Sequence, residues 1–270
     1  MPMAQFAETT KLQEHPIRFL KEVVGEVRGL PRFRLRLLRH GIEVDDGTVL
    51  EGQADLELVQ LAFSSASDAE VAELVAAAGD NEVVEVERML SRPQNPDLGY
   101  PPPLLLASLR GHVEVVRTLL EAKADCDKEG NGQCPLLAAT EDGHVEVVRL
   151  LLESRADSNL ACTFGSVPLH VAAEHGHATI AHLLLAAGAE ADKQNSSGWT
   201  PLHWAASGLS GIGHAGVARM LLEARADQNI ANSDGDTPLL RAAHSSNYSI
   251  FRALLVARRT RQTAVAKLLC

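Results

Sequence analysis

The chain has 270 residues, 46% of them apolar and only 4% aromatic, with a formal net charge of −10. A core carried by Ala and Leu suits closely stacked helices and argues against a sandwich or barrel. The acidic balance excludes duplex nucleic acid as a partner of the whole chain, because phosphate binding needs a basic face.

Charge is unevenly spread, with eight basic and ten acidic residues in 1–62, thirteen against twenty-five in 63–257, and four basic and no acidic in 258–270. The central stretch is the acidic part and would steer a basic or mixed-charge polypeptide toward it. Cys126, Cys134, Cys162 and Cys270 are widely spaced without a C-x-x-C. They form neither a disulfide framework nor a zinc pattern, so reduced, packed or surface thiols are expected. No segment reaches the ~20 consecutive apolar residues of a membrane span. The expectation is a soluble cytoplasmic or nuclear monomer with no signal peptide, transmembrane segment or cofactor.

In chain order, Ile17, Leu20, Val24 and Val27 are spaced along one face of a helix that Pro16 opens and Gly29 and Pro31 close. Arg32 to Leu37 alternates strictly. This predicts a strand with Phe33, Leu35 and Leu37 on one face and three arginines on the other, solvated one. Asp45-Asp46-Gly47 is a turn, and Leu56 to Leu61 a second strand. A polar link follows, in which Ser67 or Asp68 caps a helix over 68–78, paired with one over 81–90.

A repeat then takes over. Val167-Pro168-Leu169-His170 returns 33 residues later as Thr200-Pro201-Leu202-His203. Five units start at Pro102, Cys134, Val167, Thr200 and Thr237, and the last spacing is lengthened by a glycine-rich insertion at 208–213. Where a unit keeps Thr, as at Thr200 and Thr237, it caps the first helix, while Pro102, Cys134 and Val167 replace it elsewhere; Pro fills the helix's first turn. Ala-Ala pairs keep that helix thin, and Gly143 or Gly176 supplies the left-handed residue that ends it. Val147-Val148 with Leu151-Leu152 make the buried stripe of the second helix. A period of this length means stacked units.

The tetrads, the Gly-His pairs His112, His144, His177 and His214, and Ala-Asp pairs such as Ala156-Asp157 resemble ankyrin repeats. The resemblance implies a mainly α fold: an ankyrin solenoid of stacked helix-loop-helix units. Five repeats would span 99–257, behind a capping helix pair at 64–98 and ahead of a tail at 258–270. The segment 1–63 resembles ubiquitin-like domains in its helix Ile17 to Gly29, Arg36-Leu37-Leu38 with Gly41, Val44 to Gly47 with Leu50, and Leu56 to Val59. That implies a small α+β, β-grasp-like segment. Few residues precede its helix, so it lacks the first hairpin or borrows an edge. Leu38 and Val59 would then form an apolar patch, or else pack as half-buried sheet residues. No Gly-Gly ends the segment, so conjugation is not expected.

Only the Thr200 unit keeps both Thr and His. Leu105, Leu137 and Leu240 replace the histidine elsewhere, and Ser246-Asn247 replaces the last Gly-His. His175, His177 and His182 cluster in sequence, yet without an acidic or thiol partner they read as structural and no metal site is expected. No nucleophile-base-acid ordering or paired-carboxylate setting is visible, so no catalysis is expected. Asn159 and Asn229 stand in A-D-x-N turns and are expected to be plain turn residues; the ankyrin resemblance also implies hydroxylation, which some ankyrin domains undergo at the matching asparagine. By resemblance to ankyrins, partner contact falls on the residue before each tetrad and the two before each Gly-His. Those are Gln133, Ser166, Trp199 and Asp236, then Leu109, Arg110, Glu141, Asp142, Glu174 and His175. Trp199 is the expected anchor, as an exposed indole among polar residues. Two functions compete: a non-catalytic scaffold holding a polypeptide, and an adaptor in ubiquitin or proteasome signalling.

Overall fold

The computed structural model describes residues 16–28, 30–39, 42–46, 48, 56–61, 66–92, 94–208 and 212–257. The expected turn glycine Gly47, the contacts of Gly41 and Leu50, most of the insertion after Gly208 and the tail 258–270 lie outside them. The chain divides into two compact units, residues 1–104 with 114–125, and residues 105–113 with 126–270.

In the first unit, α1 (Pro16–Arg28) precedes a three-stranded antiparallel sheet of β1 (Leu35–Arg39), β2 (Ile42–Glu43) and β3 (Glu57–Gln60), ordered β2-β1-β3. Ile17 of α1, Leu37 of β1 and Val44 make its core, with Leu20, Leu56 and Leu58 packed around them. The register pairs Leu37 with Leu58 on that inner face and leaves Arg36 opposite Val59, and Leu38 opposite Glu57, on the outer one.

The strand expected from Arg32 begins only at Leu35, because Arg32–Arg34 form a 3-10 turn. Ion pairing explains the difference. Arg32 is buried rather than solvated, its Nη2 3.0 Å from Glu87 and its Nε 2.9 Å from Glu121. Its guanidinium lies 3.9 Å from the centre of the Phe33 ring. Arg18 reaches the same two carboxylates at 3.2 and 3.4 Å, while Lys21 bonds Asp46 at 2.6 Å. An alternating strand would carry Arg32 away from Glu87 and Glu121, and a buried guanidinium cannot go unpaired.

Next come α2 (Asp68–Gly79) and α3 (Val83–Leu90). Ser67 caps α2 through a reciprocal box. Its hydroxyl accepts from the Glu70 N–H at 3.3 Å, and the Glu70 carboxylate accepts from the Ser67 N–H at 2.9 Å. That backbone bond comes first among the contacts holding the Glu70 carboxyl below its usual range. The chain continues through α4 (Pro103–Leu109) and α5 (Val113–Glu121).

The second unit holds helical hairpins α6 (Pro135–Glu141) with α7 (Val145–Glu153), α8 (Pro168–His175) with α9 (Ala178–Ala186), and α10 (Pro201–Ser207) with α11 (Ile212–Glu223). The last hairpin is α12 (Pro238–His244) with α13 (248–257). First helices stack in the order α6, α8, α10, α12, and second helices in the order α7, α9, α11. Close approach of the first helices rests on Ala138-Ala139, Ala172-Ala173 and Ala205-Ala206, all fully buried. The second helices bury Val147, Val148 and Leu151, then Ile180, Ala181 and Leu184, then Val217, Ala218 and Leu221. Each large side chain in those stripes contributes roughly 1.5–3 kcal/mol by leaving water.

Two sets of histidines tie neighbouring hairpins together. At the far ends of the first helices, His144 Nε2 lies 3.1 Å from the Leu109 carbonyl, His177 Nε2 3.3 Å from that of Glu141, and His214 Nε2 2.8 Å from that of Glu174. Each ring reaches one hairpin back. The glycines before His144 and His177 are left-handed, with φ 76° at Gly143 and 71° at Gly176, and a Cβ at Gly143 would sit 3.0 Å from the His177 ring. In the last hairpin Ser246 takes that conformation with φ 54°, and Asn247 Nδ2 donates to the Gly208 carbonyl at 3.2 Å. Asparagine thus reproduces the missing histidine's bond.

At the near ends, His203 Nδ1 accepts from the Thr200 N–H at 3.1 Å, lies 2.8 Å from the Thr200 hydroxyl, and leaves Nε2 to donate to the Asp236 carbonyl at 2.9 Å. His170 makes the same bonds to the Val167 N–H and the Trp199 carbonyl, without a hydroxyl. The Thr200 hydroxyl therefore serves the imidazole instead of capping the helix, whereas Thr237 does cap, accepting from the Leu240 N–H. Burial is the main influence holding both imidazoles below their usual pKa, so they stay neutral.

A candidate polypeptide-binding groove

The second unit carries all ten residues expected from the repeat register to meet a partner. Between hairpins the chain turns back on itself, with Cys162, Asn195 and Asn232 N–H groups donating to the Ser166, Trp199 and Asp236 carbonyls at 3.0, 2.9 and 2.9 Å. Successive turns also bond to each other, from Ser196 N–H to the Phe164 carbonyl and from Ser233 N–H to the Ser197 carbonyl, both at 3.0 Å. The ends of the turns are thereby held in a row.

Gln133, Ser166, Glu141, Glu174 and His175 come together around one groove of about 460 Å³, with Leu137, Cys162, Phe164 and Val171 in its lining. Gln133 Nε2 donates to the Glu141 carboxylate at 2.9 Å, and His175 Nδ1 lies 3.1 Å from the Val171 carbonyl of its own helix. Two exposed carboxylates and an exposed aromatic ring thus line the same groove. Asp142 and Arg110 are exposed, and Leu109 is half-buried, its carbonyl engaged by His144. None of these three lines the groove.

Trp199 is half-buried rather than the exposed indole the sequence suggests. It packs on Trp204, ring centres 4.7 Å apart, and on the Arg241 guanidinium 4.6 Å from its centroid. Arg241 also bonds the Asp236 carboxylate at 3.2 Å, so Trp199 and Asp236 belong to a second cluster, separate in its contacts from the groove.

Sequence reasoning missed Phe164, which is 80% exposed on a left-handed backbone (φ 63°). The signal available was an aromatic residue in a turn where the matching positions hold Ser197 and Asp234. Trp204 and Arg241 were missed because a tetrad view stops at the histidine.

The other candidates have structural employment. His175 and His177 stack with centres 5.7 Å apart, His182 is exposed, and no group of three or more potential metal ligands occurs among the described residues. Asn159 Oδ1 accepts from the Glu190 N–H at 2.8 Å and its Nδ2 donates to the Gly188 carbonyl at 3.3 Å, splicing one turn to the next. Asn229 Nδ2 turns to the carboxylate of Asp227 at 3.0 Å. No described helix is long and apolar enough to cross a membrane.

The family profile described as "Ankyrin repeats (3 copies)" matches residues 73–162 and 169–265. Among solved structures, a crystal structure of an ankyrin repeat domain from Acinetobacter baumannii is similar, with a TM-score of 0.65 and 30% identity over 68% of this chain and 96% of that one. No curated protein matches. With hairpins, cross-hairpin histidines and family profile in agreement over more than half its length, the chain belongs to the ankyrin-repeat family.

Proposed function

We propose that this protein is a non-catalytic scaffold that binds a polypeptide carrying Lys or Arg beside an apolar residue. The observation that carries the reading is the groove in which Glu141 and Glu174 flank the exposed Phe164. Ankyrin repeats suggest protein interaction in general; the acidic rim and the ring narrow that to a chemistry. Arg241 over Trp199 provides a second, adjacent contact for a longer segment.

Selection of a random peptide library on the full chain tests it. Enrichment of peptides with a basic residue near an aromatic or branched one is expected. Combined Glu141→Lys and Glu174→Lys should weaken the selected peptides by at least about ten-fold, as like charges meet at the site. Equal binding to that variant overturns the assignment of the groove.

A second reading is an adaptor in ubiquitin signalling, favoured by one observation: Leu38 and Val59 share the outer sheet face, and Val59 is 37% exposed. Titration of labelled chain with ubiquitin receptor domains, compared with a Leu38→Asp variant, separates it from the first reading. Absence of saturable binding that Leu38→Asp removes eliminates it.

A further inference from the structure

Cys134 and Cys162 sit 28 residues apart in sequence, yet their Sγ atoms are 3.4 Å from each other. Neither position needs a thiol for packing. In the next hairpin the matching positions are Val167 and Asn195, and in the one after that Thr200 and Asn232. Both backbones are anchored: the Cys134 carbonyl accepts from the Ala138 N–H at 3.0 Å, and the turn holding Cys162 is closed by its bonds with Ser166 and Gly165, each 3.0 Å. Cys134 is fully buried, whereas Cys162 is half-buried and lines the groove, where a small solute can reach it.

We infer that Cys134 and Cys162 form a reversible thiol-disulfide pair, with Cys162 the residue that meets a hydroperoxide and Cys134 the one that resolves it. This goes beyond the scaffold reading and does not depend on it. A disulfide needs the sulfurs about 2.05 Å apart, so closure moves them roughly 1.4 Å nearer, which side-chain rotation on adjoining turns can supply. The same hydrogen bond divides the roles. Contact between the two sulfurs lowers the pKa of Cys162 and raises that of Cys134, and burial raises Cys134 further.

The steps balance. The Cys162 thiolate attacks the hydroperoxide, the O–O bond breaks, and the leaving alkoxide or hydroxide takes a proton to leave as alcohol or water. Cys162 is then a sulfenic acid. Cys134 sulfur attacks the sulfenic sulfur, the S–S bond forms, and the hydroxyl departs with the Cys134 proton as water. Two thiols have lost two electrons and the peroxide has gained them. A dithiol reverses the change.

The test is hydrogen peroxide added to the reduced full chain, followed by alkylation of remaining thiols and peptide mass spectrometry without reductant. A Cys134–Cys162 cross-link is expected, with Cys162 oxidised at least about ten-fold faster than Cys126. Cys134→Val, which installs the residue found one hairpin on, should stop at a Cys162 sulfenic acid captured by dimedone. Cys162→Asn, likewise borrowed from the next hairpin, should leave Cys134 an unreacted thiol. Oxidation of Cys162 no faster than that of Cys126, or cross-links made mainly to Cys126 or Cys270, overturns the inference. Because the wild-type measurement needs no substitution, poor folding of a variant cannot hide the outcome.

Discussion

Replacing His203 by Leu puts a number on the histidine network. His203 and Thr200 are both inaccessible to solvent, so the bonds between them have no water to fall back on. The substitution strands the Thr200 N–H and hydroxyl, whereas the Asp236 carbonyl keeps the Asn232 N–H at 2.9 Å. An unsatisfied buried group costs about 1–3 kcal/mol, and Leu recovers apolar burial, which leaves a net loss of about 3 kcal/mol. At 2–4 °C per kcal/mol for a unit of this size, Tm should fall by roughly 6–12 °C. Leucine fits sterically, because Leu137 already occupies the matching place two hairpins earlier, 5% exposed. Thr200→Val deletes only the hydroxyl, reproduces Val167, and should cost about 1 kcal/mol. In the double variant the two losses should not add, since one bond is counted in both. Thermal and urea unfolding of the four proteins by circular dichroism gives the cycle. A His203→Leu shift below about 2 °C, or a Thr200→Val loss as large as that of His203→Leu, refutes the reasoning.

Three further outcomes follow from other contacts. The neutral imidazoles of His170 and His203 have folded pKa values below the ordinary 6.5, so the unfolded chain takes up protons first. Their contribution is complete above 6.5 and is lost as pH falls below it. Tm should drop on acidification, and drop less when both residues are Leu; an identical slope in that double variant contradicts the assignment. Arg32→Ala opens the cluster with Glu87 and Glu121, whose side chains are 35% and 29% exposed, so water offsets part of the loss and about 1–2 kcal/mol remains. Faster amide exchange at 35–39 is the expected sign, and unchanged protection there counts against it. Ser246→Gly relieves a left-handed serine and should raise stability by about 1 kcal/mol in urea titration; a loss would mean the hydroxyl is needed.

How much of this was legible in the sequence depends on the distance over which each residue acts. The hairpins were, because Pro-Leu tetrads, Ala-Ala pairs and Gly-His are local signals repeated in register. Ser67 as the cap of α2 was also readable, since its Glu70 partner is three residues on. Arg32 was not: alternation with Phe33 to Leu37 implied a strand, while the deciding carboxylates lie 55 and 89 residues away. The groove was half legible. Register named Glu141 and Glu174, but nothing in a tetrad points to Phe164 in the turn between hairpins. Trp199 was noticed for its type and misjudged in exposure, because its neighbour Arg241 belongs to the following hairpin.

The imidazoles of His144, His177 and His214 each reach a carbonyl that precedes them in the chain by 35, 36 and 40 residues. Growing from a ribosome, the polypeptide therefore always presents the acceptor before the donor emerges. Every new hairpin finds a finished docking point on its predecessor, and Asn247 preserves that order at the last one. Assembly can proceed vectorially, one rung at a time, with only His170 and His203 left waiting for the Trp199 and Asp236 carbonyls that follow them.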